Sequence, residues 1–212
     1  MSTVAVLDYG MGNLRSVGKA LEHVAPGARV LLTSDPRAIA AADRVVFPGQ
    51  GAIGGCVAAL DAQGLRQVLL EAIASKPFLG ICLGLQALFG FSEEGGGIPG
   101  LKVLEGTVPR FPAERMHTLG LKVPHMGWNQ VRQTQAHPLW DGIAQEERFY
   151  FVHSYYADAS DRRLVAGVTE YGVRFVSAAA RANLFAVQFH PEKSARAGLQ
   201  LLQNFMRWDG AP

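Results

Sequence analysis

The chain has 212 residues, 49% of them hydrophobic and 18% charged, which fits one α/β domain long enough to bury a full core. Its formal net charge of +2 is too small and too scattered to argue for nucleic acid or a membrane surface as partner. Cys56 and Cys82 make no disulfide framework and suit a reducing, cytoplasmic setting.

Thr3-Val4-Ala5-Val6-Leu7-Asp8 opens the chain as a core strand pattern. It is not a basic segment followed by an apolar one, so no signal peptide is expected. Asn13–Val24 reads as a helix with Leu14, Val17, Ala20, Leu21 and Val24 on one face. A strand over Arg29–Thr33 follows, then a short helix over Asp35–Ala41 with Pro36 in its first turn, then a strand over Arg44–Phe47. Next comes Gly49-Gln50-Gly51-Ala52-Ile53-Gly54, which matches the dinucleotide fingerprint after a strand. That motif also wants an acid at the end of the next strand, and Glu71, at the right distance, falls inside the helix pattern Leu65–Ala74. A glycine-rich loop at a strand end can instead aim amide N–H groups at a developing oxyanion.

Phe78 to Ile81 reads as a buried strand ending at Cys82, with Gly80 and Gly84 on either side and a helix-like pattern of Leu83, Leu85, Ala87 and Leu88 after it. This is the cysteine version of the nucleophile elbow. A cysteine ending an apolar strand is ordinarily a small core residue; the two glycines and the helix start favour a nucleophile, with helix N–H groups supporting the thiolate. The most apolar stretch, Pro77 to Phe91, is interrupted by Gly and Gln and too short to span a bilayer.

The second half turns strand-rich, with Val103–Val108, Val131–Gln133, Arg148–Val152, Arg163–Thr169, Val173–Ala178 and Phe185–Phe189, and ends in a helix over Ala195–Trp208. The expected fold is a single three-layer α/β domain over 1–212. Its central, mostly parallel sheet carries helices on both faces and an antiparallel extension. The strand pattern Asn183–Phe189 runs into His190-Pro191-Glu192-Lys193-Ser194. A strand end can hold the His190 imidazole against a thiol, Pro191 sets where Glu192 points, and Glu192 can hold the ring tautomer. No metal is expected: there is no His-Glu-x-x-His, the cysteines lack paired spacing, and His23, His117, His125 and His137 are scattered. No cofactor is expected either.

Gly80-Ile81-Cys82-Leu83-Gly84-Leu85-Gln86 together with His190-Pro191-Glu192 resembles the class I, triad-type glutamine amidotransferases over essentially the whole chain. Five further stretches resemble, more narrowly, the glutaminase subunits of imidazole glycerol phosphate synthases. They are Asp8 to Asn13, Pro48 to Gly51, Pro124 to Asn129, Phe151 to Tyr155, and the Lys193-Ser194 extension. That family more often has Val where this chain has Gln50.

The resemblance implies glutamine as substrate, attacked by Cys82 with His190 as base and Glu192 as its orienter, through a γ-glutamyl thioester. It implies amides of Gly51 and Leu83 as the oxyanion hole, and Gln86 and Glu94 on glutamine's amino-acid end; from spacing alone Glu94 could equally be a solvated loop acid. It also implies a heterodimer with a (β/α)8-barrel cyclase subunit, facing Asn13, Trp128, Tyr150 and Lys193. That partner would use the ammonia to make imidazole glycerol phosphate and aminoimidazole carboxamide ribotide. Rival readings are an amidotransferase subunit serving anthranilate or GMP synthesis, a non-catalytic interaction subunit on the same fold, and a peptidase or γ-glutamyl hydrolase.

Overall fold

The computed structural model describes residues 2–211. Its first half alternates strand and helix: β1 (Thr3–Leu7), α1 (Leu14–Val24), β2 (Arg29–Thr33), α2 (Pro36–Ala41), β3 (Arg44–Gly49), α3 (Ile53–Ala62), α4 (Arg66–Ser75) and β4 (Phe78–Cys82). A single turn, α5 (Leu83–Gln86), leads into β5 (Phe89–Ser92), β6 (Ile98–Pro99) and β7 (Leu104–Val108). The rest runs α6 (Ala113–Thr118), β8 (His125–Gln133), β9 (Glu147–His153), β10 (Asp158–Ala159), β11 (Val165–Tyr171), β12 (Val173–Arg181), β13 (Leu184–Val187) and α7 (Ala195–Arg207).

Nine strands form one sheet in the order β2-β1-β3-β4-β13-β12-β11-β8-β9. The pairs from β2 to β13 are parallel and those from β13 to β9 antiparallel. The expected parallel sheet with its antiparallel extension is therefore present. One layer, with α1 and α7, buries Val17, Leu21, Leu201, Leu202 and Phe205 against one face. The opposite layer, with α2, α3 and α4, buries Ile39, Leu60, Leu69 and Ile73. Each such side chain contributes roughly 1.5–3 kcal/mol of burial.

Three features differ from the sequence reading. The glycine-rich stretch after β3 does not stay a loop: α3 starts at Ile53. Gly54 and Gly55 are tolerated there because they lie close to Ile98 and Met11. The helix after Cys82 is one turn and not several, because Leu101 donates to the Ala87 carbonyl and Val103 and Leu104 to the Leu88 carbonyl. Those acceptors open a second sheet, β10-β7-β5-β6, which hydropathy does not reveal. Last, β8 begins six residues before Val131, at His125. Its inward positions include His125 and Asn129 while Met126 and Trp128 face outward, an inversion that hides the strand from a hydrophobic-alternation reading.

Candidate active site

The C-terminal ends of β3, β4 and β13 lie side by side, with Gly49 opposite Cys82 and Val187 opposite Ile81, the usual place for a site in a parallel sheet. Cys82 has φ 55° and ψ −106°, a left-handed region that a non-glycine residue seldom occupies without surrounding restraint. The restraint is visible at the glycines. A Cβ on Gly84 would stand 1.9 Å from the Phe47 carbonyl oxygen, and one on Gly80 3.0 Å from both Ala186 Cβ and the Gly84 carbonyl oxygen. Only bare backbone lets the turn press this closely on the sheet.

After Val187 the chain leaves the edge of β4. Gln188 donates its backbone N–H to Ser177 and His190 donates to the Tyr150 carbonyl, both at 2.9 Å. Ser194 completes this stitch: its hydroxyl donates to the His190 carbonyl at 2.6 Å and accepts the Tyr150 N–H at 2.9 Å. Glu192 Oε1 lies 2.9 Å from His190 Nδ1, and the two side chains are only 1% and 4% exposed. A carboxylate oxygen accepts, so Nδ1 carries a proton toward Glu192, while Nε2 is buried and has no hydrogen-bond partner. Burial alone lowers the His190 pKa; the Cys82 sulfur and the Glu192 carboxylate outweigh it and raise the pKa to about 10.

Cys82, His190, Leu83, Gly51, Gln86, Glu94 and Lys193 line one cleft of about 450 Å³, together with Gln50, Pro124 and the segment 152–155. A groove of about 460 Å³ elsewhere, lined by Thr134, Arg162, Arg174 and Phe175 among others, has no cysteine or histidine.

The Glutamine amidotransferase class-I family matches residues 5–208. The chain belongs to the class-I glutamine amidotransferase family. This amidotransferase is 63% identical, over 98% of its length and 99% of the relative's, to a protein of Aromatoleum aromaticum named imidazole glycerol phosphate synthase subunit HisH. It is 62% identical to a Dechloromonas aromatica protein of the same name, over 97% of this chain and 96% of that one. Among solved structures it resembles a glutamine amidotransferase at TM-score 0.70 and 17% identity, covering 96% of this chain and 97% of the other. A second, a glutamine amidotransferase from Thermotoga maritima, matches at TM-score 0.63 and 17% identity, covering 97% and 83%. Both likenesses speak to fold.

Within the amidotransferase cleft, Glu94 is no solvated loop acid. Its Oε2 accepts the Ile53 N–H at 2.8 Å and so caps α3. A carboxylate thus occupies the helix N-terminus that a nucleotide phosphate would need, the physical reason the fingerprint-like glycines are not a phosphate loop. Gly49 is closed off too, since an added Cβ would meet Tyr9 Oη at 2.3 Å. Gln86 spends its amide nitrogen inside the protein, on the Tyr155 carbonyl at 2.8 Å and on Gln188 Oε1 at 2.9 Å. That leaves its own carbonyl oxygen for the cleft. Gly51 has φ +96° and lies against Met11.

Of the four surface residues expected to face a partner, Trp128, Tyr150 and Lys193 share one patch. Trp128 meets Tyr150 edge-on at 6.2 Å between centroids, and Lys193 Nζ stands 6.0 Å from the Tyr150 ring. Trp128 is 45% and its neighbour Met126 62% exposed. Asn13 stands at the N-terminus of α1 and makes no capping bond with its side chain, and α1 packs against the turn 191–193.

Sequence reasoning gave no role to His153 or Gln188. His153 Nδ1 lies 2.8 Å from the Tyr155 carbonyl, His125 Nδ1 lies 3.0 Å from His153 Nε2, and Asn129 Nδ2 lies 3.3 Å from His125 Nε2. Burial holds both rings neutral, pushing their pKa values down to about 3 for His153 and about 4 for His125. Their signal in the sequence is faint, because polar residues at inward strand positions look like loop. Cys56 is a buried core thiol pushed up to about 11 by burial. Among the described residues no group of three or more His, Cys, Asp or Glu could hold a metal ion, and no helix is long and apolar enough to cross a membrane.

Proposed function

We propose that this chain, read as one amidotransferase domain, is the glutaminase subunit of an imidazole glycerol phosphate synthase. It hydrolyses the side-chain amide of glutamine and hands the ammonia to a (β/α)8-barrel cyclase partner in a heterodimer. The partner then forms imidazole glycerol phosphate and aminoimidazole carboxamide ribotide, and a working thiolate suits the cytoplasm. The observation that carries the reading is the strained Cys82 elbow sharing a cleft with a His190 whose ring is held by a buried Glu192, in a chain 63% identical to a relative of that name.

With its pKa raised to about 10, His190 holds the thiol's proton on Nε2 before the attack, and the Cys82 thiolate attacks the amide carbon. N–H groups of Gly51 and Leu83 receive the oxyanion. The C–N bond breaks as His190 returns the proton, and ammonia leaves a γ-glutamyl thioester. Water, deprotonated by Nε2, attacks the thioester and releases glutamate and the thiol. Glu94 and the carbonyl oxygen of Gln86 hold the substrate ammonium and its neighbourhood, for which their charge and polarity are complementary.

The test is glutamate release by the purified chain, alone and then with a barrel cyclase and its nucleotide. Strong stimulation by that pair is expected, and none in Cys82→Ala. Hydrolysis without stimulation would point to an amidotransferase of another pathway; no hydrolysis in either condition would point to a non-catalytic subunit.

A further inference from the structure

One carbonyl fixes the direction of every hydrogen bond that leads to the nucleophile. The Tyr155 carbonyl oxygen can only accept. Two donors fill it: His153 Nδ1 and Gln86 Nε2, each at 2.8 Å. Gln86 must therefore present its NH2 end here, since its oxygen would face another oxygen at that distance. The same NH2 lies 2.9 Å from the Gln188 side chain, whose near atom must then be its oxygen. The remaining end of the Gln188 amide is consequently NH2, and it lies 3.7 Å from the Cys82 sulfur. Amide orientation is ordinarily ambiguous; here the network leaves one assignment.

Gln188 is fully buried, and its backbone is pinned to Ser177. Neither its burial nor its place beyond the end of β13 calls for an amide at that position; an apolar residue would fill the same volume without needing partners. On the other side of Tyr155 the chain continues through His153 and His125 to Asn129. Each ring nitrogen has its role assigned in turn: His153 Nε2 accepts from His125 Nδ1, and His125 Nε2 accepts from Asn129. Stacking of His125 against Tyr171 at 3.9 Å and Phe151 at 4.9 Å keeps that arm in place.

We propose that Gln188 is a further catalytic residue, donating an N–H to the Cys82 sulfur and stabilising the thiolate from which attack begins. Gln86 and the Tyr155 carbonyl act through it as positioning groups. Sulfur thus faces a fixed donor on one side and the His190 base on the other, so a charge formed there does not depend on water. The proposal rests on the reading of Cys82 as nucleophile.

The experiment follows alkylation of Cys82 by iodoacetamide against pH in the full chain, read at that residue by peptide mass spectrometry, in wild type, Gln188→Leu and Gln188→Glu. Loss of the donor in Gln188→Leu is expected to raise the midpoint by about one pH unit. Gln188→Glu keeps the acceptor for Gln86 and sets an anion beside the sulfur, so its midpoint rises further. With the barrel partner present, kcat for glutamine falls about 10- to 100-fold in either variant while KM stays within about threefold. A space-filling role would leave the Gln188→Leu midpoint at the wild-type value, and that result would overturn the proposal. Should Gln188→Leu not fold, Gln188→Met, which keeps the side-chain length without the N–H, decides in its place. Alkylation needs no glutamine, so a wild-type chain without glutaminase activity would sink the functional reading while the midpoints still judged the Gln188 contact.

Discussion

His190 Nδ1 and Glu192 Oε1 lie 2.9 Å apart with almost no water at either side chain. Against the cost of burial, the Cys82 sulfur first and then Glu192 raise the ring. The ring titrates at about 10 in the fold, against 6.5 for an unperturbed histidine. A group raised in this way contributes stability that is fully present below pH 6.5 and is lost as the pH climbs through 10. Glu192→Gln keeps the shape and removes one anion. The difference in melting temperature between wild type and Glu192→Gln is therefore expected to narrow from pH 6.5 to 10; a constant difference would refute the charged pair. The variant should also lose about 10²- to 10⁴-fold in kcat for glutamine.

His153, His125 and His137 carry the opposite sign. Burial lowers them to about 3, about 4 and about 4. The unfolded chain takes up protons below about pH 6.5 while the folded one does not, so stability is present above that value and lost as the pH falls toward 4. Each ring can add up to about 1.4 kcal/mol per pH unit to that slope. Chemical denaturation between pH 7 and 4 should show a shallower slope in His153→Asn than in wild type. An unchanged slope would mean that His153 is already protonated in the fold.

Gly84→Ala tests the close approach at the elbow. Its Cβ would fall 1.9 Å from the Phe47 carbonyl oxygen, and neither backbone can yield without breaking the β3–β4 ladder. A loss of about 3 kcal/mol or more is expected in urea titration. Gly27→Ala, with nothing within 4 Å of the new atom, should stay within about 0.5 kcal/mol of wild type. Equal effects from the two would contradict the packing.

Glu94→Ala should act on two quantities at once. The freed Ile53 N–H costs about 1 kcal/mol of stability, as for a lost helix cap. Loss of the carboxylate from the cleft should raise KM for glutamine about 10-fold with a smaller effect on kcat. A rise in neither KM nor denaturant sensitivity would place the carboxylate outside both roles.

Trp128→Ala should weaken binding of the proposed barrel partner by about 10-fold or more, since a half-exposed tryptophan beside another aromatic is the kind of side chain that dominates interfaces. Titration calorimetry measures this directly. Unchanged affinity would move the interface to another face.

The elbow and the His-Pro-Glu turn were legible in the sequence because each is local: glycine spacing and a proline state their own geometry. The parallel half of the sheet was legible for a similar reason, as buried runs alternate with amphipathic helices. Gln188 and His153 were not, because a polar residue in or just beyond a strand gains its meaning from partners far along the chain: Gln188 meets Gln86 and Cys82 across more than 100 positions. Helix α3 escaped because Gly54 and Gly55 look like loop until Met11 and Ile98 are seen against them. The length of α5 was decided by Leu101, Val103 and Leu104, which claim the carbonyls of Ala87 and Leu88.

The stitch between β9 and the His190–Ser194 turn has a mechanical consequence. His190 and Tyr150 share a backbone hydrogen bond, and Ser194 bridges the same two residues, while the Tyr150 ring stands beneath Trp128 and Lys193 on the outer patch. The imidazole is thus bolted to the strand that carries the patch. Pressure on that patch cannot slide β9 without either dragging the proposed base along or snapping the two hydrogen bonds that join Tyr150 to the turn, so whatever docks there has a direct lever on the proposed proton transfer.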